Sequence, residues 1–155
     1  MNKAFRFLIL MATATLLSTC QSDKKQEQIH TFESNMWNRF NILSFDIPVG
    51  NIKHSYSIFA IIRITNDFQH NSIPVHFIMT SPGGEERIWE KTFAVRNSES
   101  EHTGTQKGMY FETILPIRTN HRFTESGNHH ITIEQIIPKY DTQGVGAFGI
   151  KLAKE

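Results

Sequence analysis

The chain has 155 residues, 39% of them hydrophobic and 20% charged, with 16 Lys and Arg against 15 Asp and Glu. A formal charge of +1 excludes, on bulk grounds, a strongly basic nucleic-acid binder and an acidic disordered chain. The length suits a single domain, since domains usually hold about 100–200 residues.

Lys3 and Arg6 give a short positive start, followed by an apolar run from Phe7 to Leu17. That run is shorter than the roughly 20 residues a membrane span requires. It has the size and flanks of a secretory signal core. It closes at Leu17-Ser18-Thr19-Cys20, and Cys20 is the only cysteine. A thiol there lies beside the bilayer, placed for thioether lipidation. Leu17 and Ser18 fit a bacterial lipobox, whereas Thr19 stands where Gly, Ala or Ser is usual. The competing reading, an ordinary signal peptide with a chance cysteine, leaves a secreted chain with an unpaired thiol.

The expected organisation is therefore a lipoprotein signal over 1–19, a lipidated Cys20 with a flexible polar tether over 20–28, and one domain over 29–155. Removal of the signal takes away Lys3 and Arg6 and turns the charge from +1 to −1. A near-neutral domain has no bulk electrostatic reason to bind nucleic acid. With no cysteine left to pair, the fold must rest on its apolar core.

After a short stretch from Ile29, the pattern has period two. Leu43, Phe45 and Ile47 alternate with Ser44 and Asp46, and Pro48-Val49-Gly50-Asn51 closes the run. Tyr56, Ile58, Ala60, Ile62 and Ile64 share one face, with Phe59 and Ile61 on the other, as in a central strand covered on both sides. Ile73, Val75, Phe77 and Met79 form another set, and Ser81-Pro82-Gly83-Gly84 suits a hairpin back to Trp89, Phe93 and Val95. Asn97 to Lys107 carries no large apolar residue and is expected as a long exposed loop. Met109, Phe111, Leu115 and Ile117 alternate, with Pro116 marking a sheet edge or bulge. Ile131, Ile133 and Ile137, then Phe148, Ile150 and Leu152, give the last strands. About eight strands without a helical stripe predict an all-β, antiparallel β-sandwich of jelly-roll or immunoglobulin-like type.

Motifs for chemistry are weak. Gly144 to Gly149 matches G-x-G-x-x-G, but the residues that follow alternate like a strand. A dinucleotide site needs a helix there to hold the pyrophosphate. The glycines are expected at a bulge or a close strand approach. The eight histidines lack metal-ligand spacing. His129 and His130 are neighbours on a strand and point to opposite faces; His70 and His76 are separated by Pro74. No Gly-x-Ser-x-Gly is present, and the lone cysteine is claimed by lipidation. No catalytic residue, metal or cofactor is therefore expected. The candidate binding residues are the aromatics Trp37 and Phe40, which could stack on a sugar or anchor a protein. For Trp37 the favoured reading is that it closes one end of the core, because Trp is highly buried on average.

The lipobox and polar tether are followed by Trp37, Leu43-Ser44-Phe45-Asp46-Ile47-Pro48, Tyr56 and Ile61-Ile62-Arg63-Ile64-Thr65. Gly104, Gly108, Phe111 to Ile117, Phe123, Gly127, Ile131 to Ile136 with Gln135, and Gly144-Val145-Gly146 complete the series. In order and spacing the chain resembles the GldH-like gliding-motility lipoproteins of Bacteroidetes. It departs from that pattern at Ile136-Ile137-Pro138-Lys139. The resemblance implies a non-enzymatic β-sandwich, lipid-anchored through Cys20 in the cell envelope, with the outer membrane favoured. It further implies a protein partner in the gliding or secretion apparatus. The alternative is a surface module for glycans or peptides, using Trp37 or the Asn97–Lys107 loop.

Overall fold

The computed structural model describes residues 26–155. The expected signal, Cys20 and tether residues 21–25 lie outside the described residues. The strands are β1 (Gln26–Thr31), β2 (Met36–Asn38), β3 (Leu43–Val49), β4 (Tyr56–Ile64), β5 (Ser72–Thr80), β6 (Glu86–Ala94), β7 (Thr105–Lys107), β8 (Tyr110–His121), β9 (Gly127–Gln135), β10 (Asp141–Gln143) and β11 (Val145–Lys154). Seven of these match the expected runs. Of the four additional ones, β1 begins inside the expected tether, and β2, β7 and β10 have three residues each, too few to show an alternation.

Two antiparallel sheets form, with orders β1-β11-β4-β8-β7 and β3-β9-β5-β6, and β2 pairs with β10 in a separate ladder. The β-sandwich expected from the alternation is present. Leu43, Phe45, Ile47 and Val49 on β3 and Ile58, Ala60, Ile62 and Ile64 on β4 are buried in one core. Each such aliphatic or aromatic side chain contributes about 1.5–3 kcal/mol by leaving water. Phe93 on β6 meets Phe148 on β11 with ring centroids 6.1 Å apart, so the two inner faces interlock. One lateral side is bridged by the Gln28 side-chain amide, which donates to the Asp46 carbonyl. On the other, Lys91 Nζ donates to the Ile117 carbonyl at 3.4 Å and the Arg118 guanidinium lies 4.6 Å from the Trp89 ring.

Several boundaries differ from those expected. Gln26 to Gln28, expected as tether, lie in β1 and pair with Leu152 to Ile150. Gln26 and Glu27 are exposed and Gln28 is half-buried, and all three are polar, so no apolar alternation marks this part of the strand; the backbone ladder defines it. Met109 sits in the exposed turn before β8 rather than in the strand. The Asn97–Lys107 stretch is mostly exposed, as expected, yet it is folded. Arg96 bridges His102, and β7 returns along β8 through Gly108, whose φ of 63° closes the turn.

Pro116 lies opposite a register shift at Ile58/Phe59, and β7 covers only Tyr110 to Glu112, so Pro116 has no strand on its far side. In Gly144 to Gly149 no helix follows: the segment enters β11, with a bulge between Val145 and Ala147. Gly144 has φ 87°, and a Cβ there would collide with the Phe68 backbone nitrogen.

The strand directions define two poles. The chain enters at Gln26, beside Leu152, at the pole shared with residues 50–55, 81–85 and 122–126. Thr31 pairs with Ala147 and leads to the opposite pole, which carries residues 32–42, 65–71 and 136–144.

Candidate interaction surface

The β2–β10 ladder pairs Asn38 with Asp141, Trp37 with Thr142 and Met36 with Gln143. Alternation within β2 sends Trp37 inward, where it is fully buried, and leaves its neighbours toward solvent. Trp37 stacks on Phe32 at 4.9 Å and tilts against Phe148 at 5.3 Å. Its indole Nε1 donates to the Asn41 carbonyl at 2.9 Å. A buried aromatic therefore holds the loop that follows β2.

That loop is a sequence of tight turns. The Asn38 carboxamide oxygen accepts from the Phe40 N–H at 2.9 Å, and its amide donates to Asp141 Oδ1 at 2.8 Å. The Asn38 carbonyl accepts from Asn41 N–H, and that of Phe40 from Ile42 N–H. Arg39 N–H donates across to the Tyr140 carbonyl at 2.8 Å. Asn favours this arrangement because its short amide bonds its own backbone two residues on.

The turns raise a compact apolar knob. Phe40 is 71% exposed, Tyr140 70% and Ile42 55%. The Phe40 and Tyr140 rings stand 5.9 Å apart at 47°, and the Arg39 guanidinium lies 5.9 Å from the Phe40 ring. Large apolar side chains grouped on a surface mark interaction sites more often than single exposed ones do.

Of the two aromatics singled out in the sequence, Phe40 is on this surface and Trp37 is not. Trp37 is completely covered, so it supports the knob and cannot itself meet a ligand. Sequence reasoning missed Ile42 and Tyr140. Tyr140 follows Pro138-Lys139 in a polar turn, a signal for exposure, but nothing in the chain places it beside a residue 100 positions earlier.

Elsewhere, His129 is buried and His130 exposed, on opposite faces of β9. His130 reaches Asp46 at 2.9 Å and Ser44 at 2.6 Å. His121 and His129 flank Phe123 at 4.6 and 4.5 Å near the entry pole. Burial pushes both imidazoles below their ordinary range, and Arg118 and Arg87 add to this at His121. The adjoining void, of about 10 Å³, has room for roughly one water. Among the described residues, no group of three His, Cys, Asp or Glu could hold a metal ion. Glu112 is held below the ordinary carboxylate range by a hydrogen bond from Lys107, with Arg63 also donating to it at 2.8 Å. It serves as a structural ion-pair centre.

The described residues form an antiparallel β-sandwich that exposes the aromatic pair Phe40 and Tyr140 at one pole. The GldH lipoprotein family model matches residues 24–152, and the chain belongs to that family. It is 23% identical to the gliding motility lipoprotein GldH homolog of Christiangramia forsetii, over 99% of this chain and 98% of that one. It is 21% identical to the gliding motility lipoprotein GldH of Flavobacterium johnsoniae, over 83% and 79% of the two chains. A carbohydrate-binding module, CBM28, described as specific for non-crystalline cellulose, aligns over 84% of this chain and 74% of its own. The identity is 10% and the TM-score 0.45, a level of likeness that carries nothing about ligand.

Proposed function

We propose that this protein is a non-enzymatic accessory lipoprotein of the cell envelope, moored in the outer membrane by acylated Cys20. It acts by protein contact in gliding or the associated secretion apparatus. The observation that carries the contact role is the grouping of Phe40, Ile42 and Tyr140 on a hydrogen-bonded platform over Trp37. Family membership supports the envelope setting. Physically, a lipid anchor restricts the domain to one surface and raises its concentration near a membrane-bound partner to about the millimolar range.

The glycan alternative draws less support. Stacking on one sugar favours coplanar ring faces, whereas the two rings meet at 47°.

The test is fractionation of Cys20→Ala alongside the native protein, with mass measurement of the native amino terminus. The native chain is expected in the membrane with a diacylated or triacylated cysteine, and the variant in the soluble or unprocessed fraction. An unmodified thiol in the native chain, or a variant whose signal is removed and which still sediments with membranes, overturns the anchor. For the contact role, Phe40→Ala/Tyr140→Ala is expected to fail to restore function to a deletion strain while accumulating normally. Full restoration overturns that role.

A further inference from the structure

Resting on the lipid-anchored reading, we infer that the Phe40/Tyr140 knob points away from the anchoring bilayer. Its occupant is a partner protein offering an apolar pocket rimmed by carboxylates. Two independent observations lead there, one of position and one of charge.

The positional argument starts at Gln26, where the described chain begins, beside Leu152. From there β1 runs to Thr31, opposite Ala147, a rise of about 17 Å at roughly 3.3 Å per residue. The chain then passes through Phe32, whose N–H donates to the Gly146 carbonyl, and enters β2. The knob therefore stands a full strand length from the entry point. Six residue steps join Cys20 to Gln26, and they reach about 20–22 Å only when completely stretched. To put the knob on the same bilayer, the tether would have to run back along the whole domain at full extension. That conformation has little entropy, so the bilayer is the disfavoured occupant.

The charge argument concerns Arg39-Phe40 and Lys139-Tyr140. These are two basic–aromatic dipeptides, brought side by side by the bond from Arg39 N–H to the Tyr140 carbonyl. Lys139 is exposed and Arg39 lies partly over the Phe40 ring. The nearest acid in the ladder, Asp141, accepts from the Asn38 amide. The surface thus offers two aromatic rings, with the Arg39 guanidinium 5.9 Å from that of Phe40 and Lys139 next to Tyr140 in the chain, two cations against the one carboxylate of the ladder, Asp141. Its complement is an apolar recess with acidic residues at the rim, since aromatic anchors bind by filling pockets and rim charges select the partner.

Two measurements on the full lipidated chain test this. Cys20 is the only native cysteine, so Phe40→Cys and Lys53→Cys each add one free thiol for a fluorophore once Cys20 is acylated. In phosphatidylethanolamine–phosphatidylglycerol vesicles carrying chain-attached nitroxide quenchers, the label at 53, on the entry pole, is expected to be quenched several-fold more than that at 40. Stronger quenching at 40 means the knob lies on lipid and overturns the inference. Equal absence of quenching at both sites, with the protein floating free of vesicles, instead sinks the anchor reading. In cells, a photo-crosslinking residue at 40 is expected to give one discrete adduct, lost with Arg39→Glu/Lys139→Glu and retained with Lys53→Glu. An adduct indifferent to the reversal, or one containing only a second copy of this chain, overturns the proposed partner chemistry.

Discussion

The indole N–H of buried Trp37 donates to the carbonyl of Asn41, one residue beyond exposed Phe40. The core therefore sets the position of the surface knob directly. Trp37→Ala should cost about 3–5 kcal/mol, as large aromatic-to-alanine changes do in packed cores. Trp37→Phe should cost less, about 1–3 kcal/mol, through the lost hydrogen bond and the unfilled volume. Denaturant unfolding measures both. Amide exchange at residues 40–42 should speed up in Trp37→Phe even where the global fold persists.

Phe40→Ala and Tyr140→Ala should leave unfolding midpoints nearly unchanged, within about 0.5 kcal/mol, because both side chains are mostly solvated already. A large loss of stability in either would show that the knob is part of the folding core, not a surface feature.

Gly144→Ala should destabilise the fold. The position has φ 87°, where an L side chain is strained, and the new methyl would meet Phe68 backbone. Gly144 N–H also donates to the Asn35 carbonyl, and its own carbonyl accepts from Thr65 N–H, so the strain falls on a junction of three segments. The conformational part alone is about 1–3 kcal/mol, and thermal melting should show a drop at least that large. Gly84→Ala, with φ 88° but open space, should cost only the conformational part.

His121 and His129 give the fold a defined acid sensitivity. Both are buried with imidazole pKa values lowered, chiefly by desolvation. Arg118 and Arg87 face His121 and reinforce the shift; Glu125 and the Gly127 backbone oppose it at His129. Below the ordinary imidazole value of 6.5 the unfolded chain takes up these protons before the folded chain does. Stability should therefore fall as pH drops from about 7 toward 5. His121→Phe/His129→Leu should flatten that slope. Asp46, lowered by its hydrogen bond from His130, and Glu112, lowered by Lys107, act in a separate window. Their contribution is present above the ordinary carboxylate values and is lost as pH falls below them, so it should survive in the histidine double variant.

Much of the sandwich was legible because burial on one face of a strand imposes a period of two on the chain. Leu43 to Val49 and Ser72 to Thr80 display that period in burial as in sequence. The doubled apolar pattern of Tyr56 to Ile64 likewise marked a central strand, and β4 lies between β11 and β8. β1 was hidden because an edge strand with solvated side chains carries no hydrophobic period; its ladder with β11 exists only once β11 is in place.

The amino-acid order by itself determined the strand pattern, the turn at Gly84 and the family features, because these depend on local geometry and side-chain polarity; Pro48 and Val49, expected in a turn, continue β3 because their ladder with Asn128 and Gly127 extends that far. Only the tertiary structure decided that Trp37 is internal while Phe40 is not, and that Tyr140 comes to stand beside Phe40. Those outcomes depend on antiparallel pairing between segments a hundred residues apart. A local signal cannot encode such a pairing, which the packing of the whole core selects.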